Sequence, residues 1–325
     1  MDLMIGVDLG GTYTKFGLVT EQGDLIAENF IKTDSSTPYE VFFAKLHDEI
    51  ENLKRTHAVA SKIKGIGIGA PSGNHLSGKI ENASNLNWPD FIPVAKMMAD
   101  HSGLPVAVTN DANAAALGEM RYGIAKGVNN FISLTLGTGL GSGIVNDGKL
   151  LYGQNGHAGE LGHTIAVPGG RACGCGRKGC LETYASAPGL LNTLLDMLHS
   201  TETKSVFRKR NHSSITAKDI TQEAAKGDEL SLEAFNKTGQ ILGEKLADAV
   251  AFLNPSLIVL SGGLANSGSL ILKPTKEHLE HNLLDIFKGT VSIQLSEISK
   301  KNAAILGAAA MMWEQDLSII NAQYV

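Results

Sequence analysis

Residues 3–20 read LMIGVDLGGTYTKFGLVT. The apolar run Leu3–Asp8 ends in a glycine pair, and a second β-prone run, Thr12–Thr20, follows. A third strand is expected over Leu25–Thr33, after the turn Glu21-Gln22-Gly23-Asp24. The pattern returns at residues 130–146, NFISLTLGTGLGSGIVN. There Asn130–Leu136 and Gly141–Asn146 enclose a second glycine turn that again carries a threonine. Asn146-Asp147-Gly148 and a short strand, Lys149–Tyr152, complete a second meander. Strand, glycine turn, strand occurs twice, which predicts an internal structural duplication and two α/β domains.

Such a turn presents successive backbone N–H groups at its tip, and a nest of this kind binds phosphate oxygens without a lysine. The pattern GxxxxGK[ST] is absent, so this is not a P-loop. The glycine spacing over 137–143 is a weak dinucleotide signal, because a strand rather than a helix is expected to follow it. Two phosphate turns suit a nucleoside triphosphate. Asp8, at the end of the first strand, is a candidate Mg2+ ligand, directly or through water. Thr12, Thr14 and Lys15 are candidate phosphate contacts or fill the hairpin.

Outward from the first turn, residues 38–57 have helical periodicity, with Val41, Phe42, Leu46, Ile50 and Leu53 on one face. A strand over Ile63–Ile68 ends in GAPSG. A helix is expected over Phe91–His101, a strand over Pro105–Thr109 and a helix over Asp111–Gly123. Beyond the second meander, Thr183–His199 and Leu230–Leu253 read as helices. Leu257–Leu260 reads as a strand closing in SGGL, Val291–Leu295 as a strand and Asn302–Gln315 as a helix. A soft boundary near 123–127 divides an N-terminal α/β domain, 1–125, from a larger C-terminal one, 126–301. The helix near 302–325 is a candidate to pack back on the first domain.

All three cysteines, Cys173, Cys175 and Cys180, fall within eight residues, in the stretch GHAGELGHTIAVPGGRACGCGRKGCLE (156–182). Three thiolates and one imidazole form a closed tetrahedral set, the composition of a structural zinc site. His157 and His163 both lie upstream, and the spacing alone barely separates them. Glu160 and Glu182 bracket the loop. With all four positions filled by protein, the zinc would hold a loop rather than activate water.

The chain has 325 residues, 43% hydrophobic and 19% charged, with a formal charge of −5, as expected of a globular protein with room for two cores. No basic block supports nucleic-acid binding, and no apolar run approaches the ~20 residues of a membrane span. The acid at position 2 and the early glycines do not read as a signal peptide. Clustered rather than dispersed cysteines point to a reducing cytoplasm.

Taken in order, DLGGTYTKFGLV, GIGIGAPSG, ENASNLNW, TNDANAAALGE, LTLGTGLGSGIV, the 156–182 block and VLSGGLA resemble the ROK sugar kinases over nearly the whole length. The run ending in CGCGRKGCLE is the most specific part. The resemblance implies a two-domain actin-like ATPase (ribonuclease H-like) fold with a nucleotide and sugar cleft between domains. It also implies ATP-dependent phosphorylation of a hexose hydroxyl. By that resemblance DLGGT (Asp8, Gly10, Gly11, Thr12) is the first phosphate turn, the turn with Thr138 and Gly139 is the second, and Gly262 and Gly263 of SGGL contact the adenosine. His163, Cys173, Cys175 and Cys180 would hold zinc, the family pattern favouring His163 over His157. Asp111 would be the general base, and Asn85, Asn110, Glu160, His163 and Glu182 would bind sugar hydroxyls.

On the residues themselves, Asp111 also reads as the cap of the helix that follows it. The loop near Gly73 and Asn85 would decide the sugar's 2-position. Glucose, giving glucose 6-phosphate, is the first expectation. N-acetylmannosamine, N-acetylglucosamine and fructose kinases are the alternatives, and a sugar sensor without catalysis is the non-enzymatic one. The repressor members carry an N-terminal helix-turn-helix, for which a strand starting near residue 3 leaves no room. A homo-oligomer, dimer or tetramer, is carried over from the resemblance.

Overall fold

The computed structural model describes residues 1–58, 61–83, 86–298 and 303–314. In chain order the elements begin with β1 (Asp2–Leu9), β2 (Tyr13–Thr20), β3 (Leu25–Lys32), α1 (Tyr39–His57) and β4 (Lys62–Ala70). The short β5 (Gly73–Asn74), β6 (Lys79–Glu81) and β7 (Phe91–Ile92) precede α2 (Val94–Ser102), β8 (Val106–Asn110) and α3 (Asp111–Tyr122). Next come β9 (Phe131–Leu136), β10 (Leu140–Asn146), β11 (Lys149–Leu150), α4 (Ala187–Ser200), α5 (Ala217–Ala225) and α6 (Glu229–Leu253). The chain closes with β12 (Leu257–Ser261), α7 (Gly262–Ala265), α8 (Ser269–Asn282), β13 (Ser292–Leu295) and α9 (Ala303–Trp313). Two compact units result. Unit 1 holds Met1–Gly127, Lys149–Ala158 and the described residues from Glu297 onward; unit 2 holds Val128–Gly148 and Gly159–Ser296. Both are α/β.

In unit 1 the sheet order is β3-β2-β1-β4-β8, with β1 antiparallel to β2 and parallel to β4, and β8 parallel to β4. Helices cover both faces, so β1 is a continuous buried run rather than an alternating one. Leu3, Ile5, Val7 and Leu9 pack with Phe42, Phe43 and Leu46 of α1 and Met98 of α2. Met4 faces the opposite way, with Ile305, Ala309 and Met312 of α9. A Cβ at Gly6 would collide with the Ile305 carbonyl, and one at Gly67 with that of Ala308. Glycine at these two places lets the α9 backbone lie directly on the sheet.

In unit 2 the strands β10-β9-β12-β13 adjoin in that order, with β10 antiparallel and the other three parallel. This repeats β2-β1-β4-β8 of unit 1, so the duplication seen in the glycine turns extends to sheet topology. The core of unit 2 joins Ile132, Leu134 and Ile258 of the sheet to Leu190, Leu194, Leu242, Leu246 and Leu279 of the helices.

Several elements depart from expectation. Phe91 and Ile92 form an edge strand against β6, and the helix starts only after Pro93, whose ring suits a helix start. Leu181–Thr183 is an isolated 3-10 turn, and α4 begins after the Ser186 cap. Helix α8 lies in a stretch for which no element was expected, and it holds Pro274 inside it; the ring fits against α6 where Gly239 leaves room. Helix α5 opens on a capping box in which Thr216 and Asp219 bond reciprocally. Lys149–Ala158 groups with unit 1 rather than with its neighbours in sequence. Asn74 donates to the Asn155 carbonyl at 2.8 Å, and Tyr152 stacks on His75 with centroids 4.3 Å apart. Among the described residues no helix is long and apolar enough to cross a membrane.

Candidate active site

The candidate residues of unit 1 gather where the parallel strands end. The ladder places Asp8 opposite Gly69, and Ala70 opposite Asn110, so Asp8 and the start of α3 share the C-terminal edge of the sheet, the usual ligand edge of such sheets. The ladder between β1 and β2 closes at Leu9 and Thr14, and the Gly10 N–H donates back to the Tyr13 carbonyl at 3.1 Å. Gly11 and Thr12 lie exposed at the tip, and Lys15 is exposed opposite Asp8. Thr14 differs from these: it is fully buried and shares a 2.8 Å hydrogen bond with the Thr33 hydroxyl. Its hydroxyl is engaged inside the sheet rather than displayed at the tip of the turn.

The cap of α3 is Asn110, whose side chain accepts from the Ala112 N–H at 2.8 Å. Asp111 sits one residue inside the helix, and its Oδ1 accepts from the same N–H at 2.8 Å. The Asp111 side chain reaches solvent yet is hemmed in by protein, and this desolvation raises its carboxyl pKa. Asp8 is pushed up to about 6, chiefly by desolvation; Lys15 opposes the shift and the Asp111 carboxylate adds to it. Two carboxylates so placed gain from a cation beside them.

Gly73 closes the Pro71-Ser72-Gly73 turn, and a Cβ there would collide with the Thr109 carbonyl. The hairpin it opens is tied down by Asn74, whose Nδ2 donates to Glu81 at 3.1 Å and whose Oδ1 accepts from the Leu76 N–H at 2.9 Å. His157 lies here too, its Nε2 3.3 Å from Glu81. Asn85 lies outside the described residues.

In unit 2, Gly137, Thr138 and Gly139 connect β9 to β10, with Thr138 exposed. Beside them, Ser261 pairs with Thr135 across the parallel ladder, and Gly262 adopts φ +89° with no room for a Cβ against Leu136. Gly263 faces open space. The SGGL turn therefore adjoins the second glycine turn.

His163, Cys173, Cys175 and Cys180 converge, with all four ligand atoms within 4.8 Å of one another. Cys173 Sγ is 3.7 Å from His163 Nδ1, and Cys175 Sγ is 3.6 Å from Cys180 Sγ. Donors of a tetrahedral zinc–thiolate site are separated by ~3.8 Å, so the set fits that metal. Hydrogen bonds from Arg177 hold the exposed Cys175 thiol below its usual range, and desolvation raises Cys180. The other nitrogen of His163 is 3.9 Å from Glu160, which is itself exposed. Glu182 is half-buried; one of its oxygens accepts from the Leu140 N–H at 2.9 Å. The cluster takes His163 and not His157, which belongs to unit 1 and lies beside Glu81.

The model of the ROK family matches residues 4–315. The chain belongs to the ROK family. A glucokinase of Halalkalibacterium halodurans is 35% identical over 319 residues, 97% of this chain and 96% of that one. The structure of a ROK family glucokinase from Streptomyces griseus, in complex with glucose and AMPPNP, superposes with a TM-score of 0.79. It is 31% identical and covers 96% of this chain and 100% of its own. A xylose repressor of Caldicellulosiruptor bescii is 32% identical over 97% of this chain and 79% of its own length.

Two features of this ROK chain were not visible in its sequence. One is the set Asn74, Ser77 and Glu81, which fixes the hairpin after Gly73; Ser77 donates to Glu81 at 2.6 Å. The other is the bond from Leu140 to Glu182. Both join residues far apart in the chain or within strands two or three residues long, where no periodicity signals them.

Proposed function

We propose that this ROK protein is a sugar kinase that transfers the γ-phosphoryl group of ATP to the 6-hydroxyl of glucose. The observation that carries the chemistry is Asp111. Asn110 does the capping, and the Ala112 N–H holds one Asp111 oxygen, which orients the carboxylate. The other oxygen is left to accept a proton from the sugar hydroxyl. The hydroxyl oxygen then bonds to the γ-phosphorus as the bond to the β-phosphate oxygen breaks, and ADP leaves. The transition state is loose, so placement and charge stabilisation supply most of the rate. The raised pKa of Asp111 makes its carboxylate a stronger base than a free one.

Unit 1 supplies Gly10, Gly11, Thr12 and Lys15 for phosphate contact. Unit 2 supplies Thr138 and Gly139 for phosphate, and Gly262 and Gly263 for the nucleoside. Mg2+ bound with ATP would neutralise phosphate charge, and Asp8 is the residue that would hold it, directly or through water. The sugar-binding set is Gly73, Asn85, Asn110, Asp111, Glu160, His163 and Glu182. A structural Zn2+ on His163, Cys173, Cys175 and Cys180 would hold the loop that carries the two glutamates. Free thiols of this kind suit a reducing cytoplasm.

The similarity to a xylose repressor favours one second reading, a sugar-binding protein without turnover. ADP release with Mg2+-ATP and a panel of glucose, N-acetylmannosamine, N-acetylglucosamine, fructose and mannose separates them. Glucose is expected to give the highest kcat/KM. A higher value for an amino sugar or fructose reassigns the substrate, and no turnover with any of the five, in zinc-loaded protein, moves the reading to the sensor.

A further inference from the structure

We infer that Glu182 is a positioning residue for the second glycine turn, so that the cysteine loop sets nucleotide affinity as well as sugar affinity. The inference rests on the reading of Gly137–Gly139 as a phosphate turn.

The segment that follows Cys180 fastens this turn at both ends. At its C-terminal end, a Glu182 oxygen accepts from the Leu140 N–H at 2.9 Å. At its N-terminal end, the Ala187 N–H donates to the Gly137 carbonyl at 2.9 Å. Gly139 packs so closely on Glu182 that a Cβ there would lie 2.5 Å from its carboxylate oxygen. The second Glu182 oxygen lies 4.0 Å from Cys173 Sγ. Glu182 sits in the 3-10 turn Leu181–Thr183 that starts at Cys180. One side chain therefore touches a candidate metal ligand with one oxygen and a phosphate-turn amide with the other.

The same strand is gripped from the opposite side of the loop. Ser142 of β10 donates to the Gly159 carbonyl and accepts from the Leu161 N–H at 3.3 Å, and Gly162 has no room for a Cβ against the Leu140 carbonyl. The start of β10 is thus held between the two arms of the His163–Cys180 loop. A turn that binds phosphate through backbone amides depends on their direction, because each N–H must already point at the anion. Gly137-Thr138-Gly139 has no charged side chain to compensate if that direction is lost. Releasing Leu140 is expected to disorder the nest and weaken nucleotide binding with no sugar present.

The test is the Kd of Mg2+-AMPPNP by calorimetry on the full chain without sugar, for wild type, Glu182→Ala, Glu182→Gln and Gly139→Ala. Glu182→Ala is expected to bind about tenfold more weakly, the size of one lost charge-assisted hydrogen bond. Glu182→Gln, whose carbonyl oxygen still accepts from Leu140, should stay within about threefold of wild type. Gly139→Ala should lose affinity too, and the double variant Gly139→Ala/Glu182→Ala should lose less than the two singles together, since both act through one contact. A Kd for Glu182→Ala equal to wild type overturns the inference. If that variant does not fold, a wild-type Kd for Gly139→Ala does the same. Failure of the wild type to bind AMPPNP at all overturns the phosphate-turn reading itself, a separate result.

Discussion

The turn Gly10–Thr12 of unit 1 stands among charges, with Asp8 and Lys15 on its strands and Asp111 beside Asp8. The turn Gly137–Gly139 of unit 2 has no ionisable residue, and is fastened instead by Glu182 and the Ala187 N–H. Both lie at the same place in the same four-strand topology. On the proposed reading a duplicated frame is put to two uses: one copy would place charge where bonds change, and the other would place backbone amides held by the cysteine loop. Substitutions in unit 1 should strike rate and pH dependence, and those in unit 2 should strike binding.

The largest effect is expected at Asp111. Asp111→Asn should lower kcat by about 10²–10⁴-fold while glucose Kd stays within about threefold. The base must be ionised and its pKa is raised, so wild-type kcat/KM falls as pH drops through that raised value, and the residual activity of the variant should lack this limb. A variant that loses glucose binding in proportion to rate would make Asp111 a sugar ligand only. Next is the loop of unit 2. Cys175→Ser should lower bound zinc, measured by elemental analysis, and raise the glucose KM about tenfold or more, in parallel. Zinc lost with kinetics untouched would separate the metal from the sugar site.

Asp8 carries a smaller effect of opposite sign. Its folded-state pKa of about 6 lies above the ordinary 3.8, so the folded protein holds that proton more tightly than the unfolded chain. The ionised carboxylate therefore costs stability above pH 6, and the cost fades as pH falls from 6 towards 4. In Mg2+-free buffer, Asp8→Asn should raise stability by up to about 3 kcal/mol at pH 7.5, with the gain gone near pH 4. An unchanged or lower Tm at pH 7.5 would contradict this. The smallest contrast is within the first turn. Thr14→Val should leave the ATP KM within about twofold and cost about 1–2 kcal/mol, because it orphans the buried Thr33 hydroxyl. A large rise in KM would return Thr14 to the phosphate site.

Much of this was legible before any coordinates. The two glycine turns, the helix starting at Asp111 and the cysteine loop are local patterns, each written in fewer than thirty consecutive residues. What escaped was tertiary. Asn110 and Asp111 are both good caps, and only backbone geometry assigns the cap to Asn110. Pro274 reads as a helix breaker until Gly239 of α6 receives it. Thr14 and Thr12 are alike in sequence, but Thr12 lies at the exposed tip before β2 begins, whereas Thr14 lies within β2, buried against the Thr33 hydroxyl. His157 and His163 were equal by spacing, and the fold sends the first to Glu81 and the second to the thiols. Lys149–Ala158 joins unit 1 through Asn155 and Tyr152, contacts that bridge some eighty residues.

The most direct test of the account is phosphorus NMR of Mg2+-ATP incubated with glucose and either wild type or Asp111→Asn. The account predicts that the wild type converts ATP to ADP with one equivalent of glucose 6-phosphate. It predicts at most about one hundredth of that product over the same period from a variant that still binds glucose. Inorganic phosphate in place of the sugar phosphate, or equal product from both proteins, would contradict it.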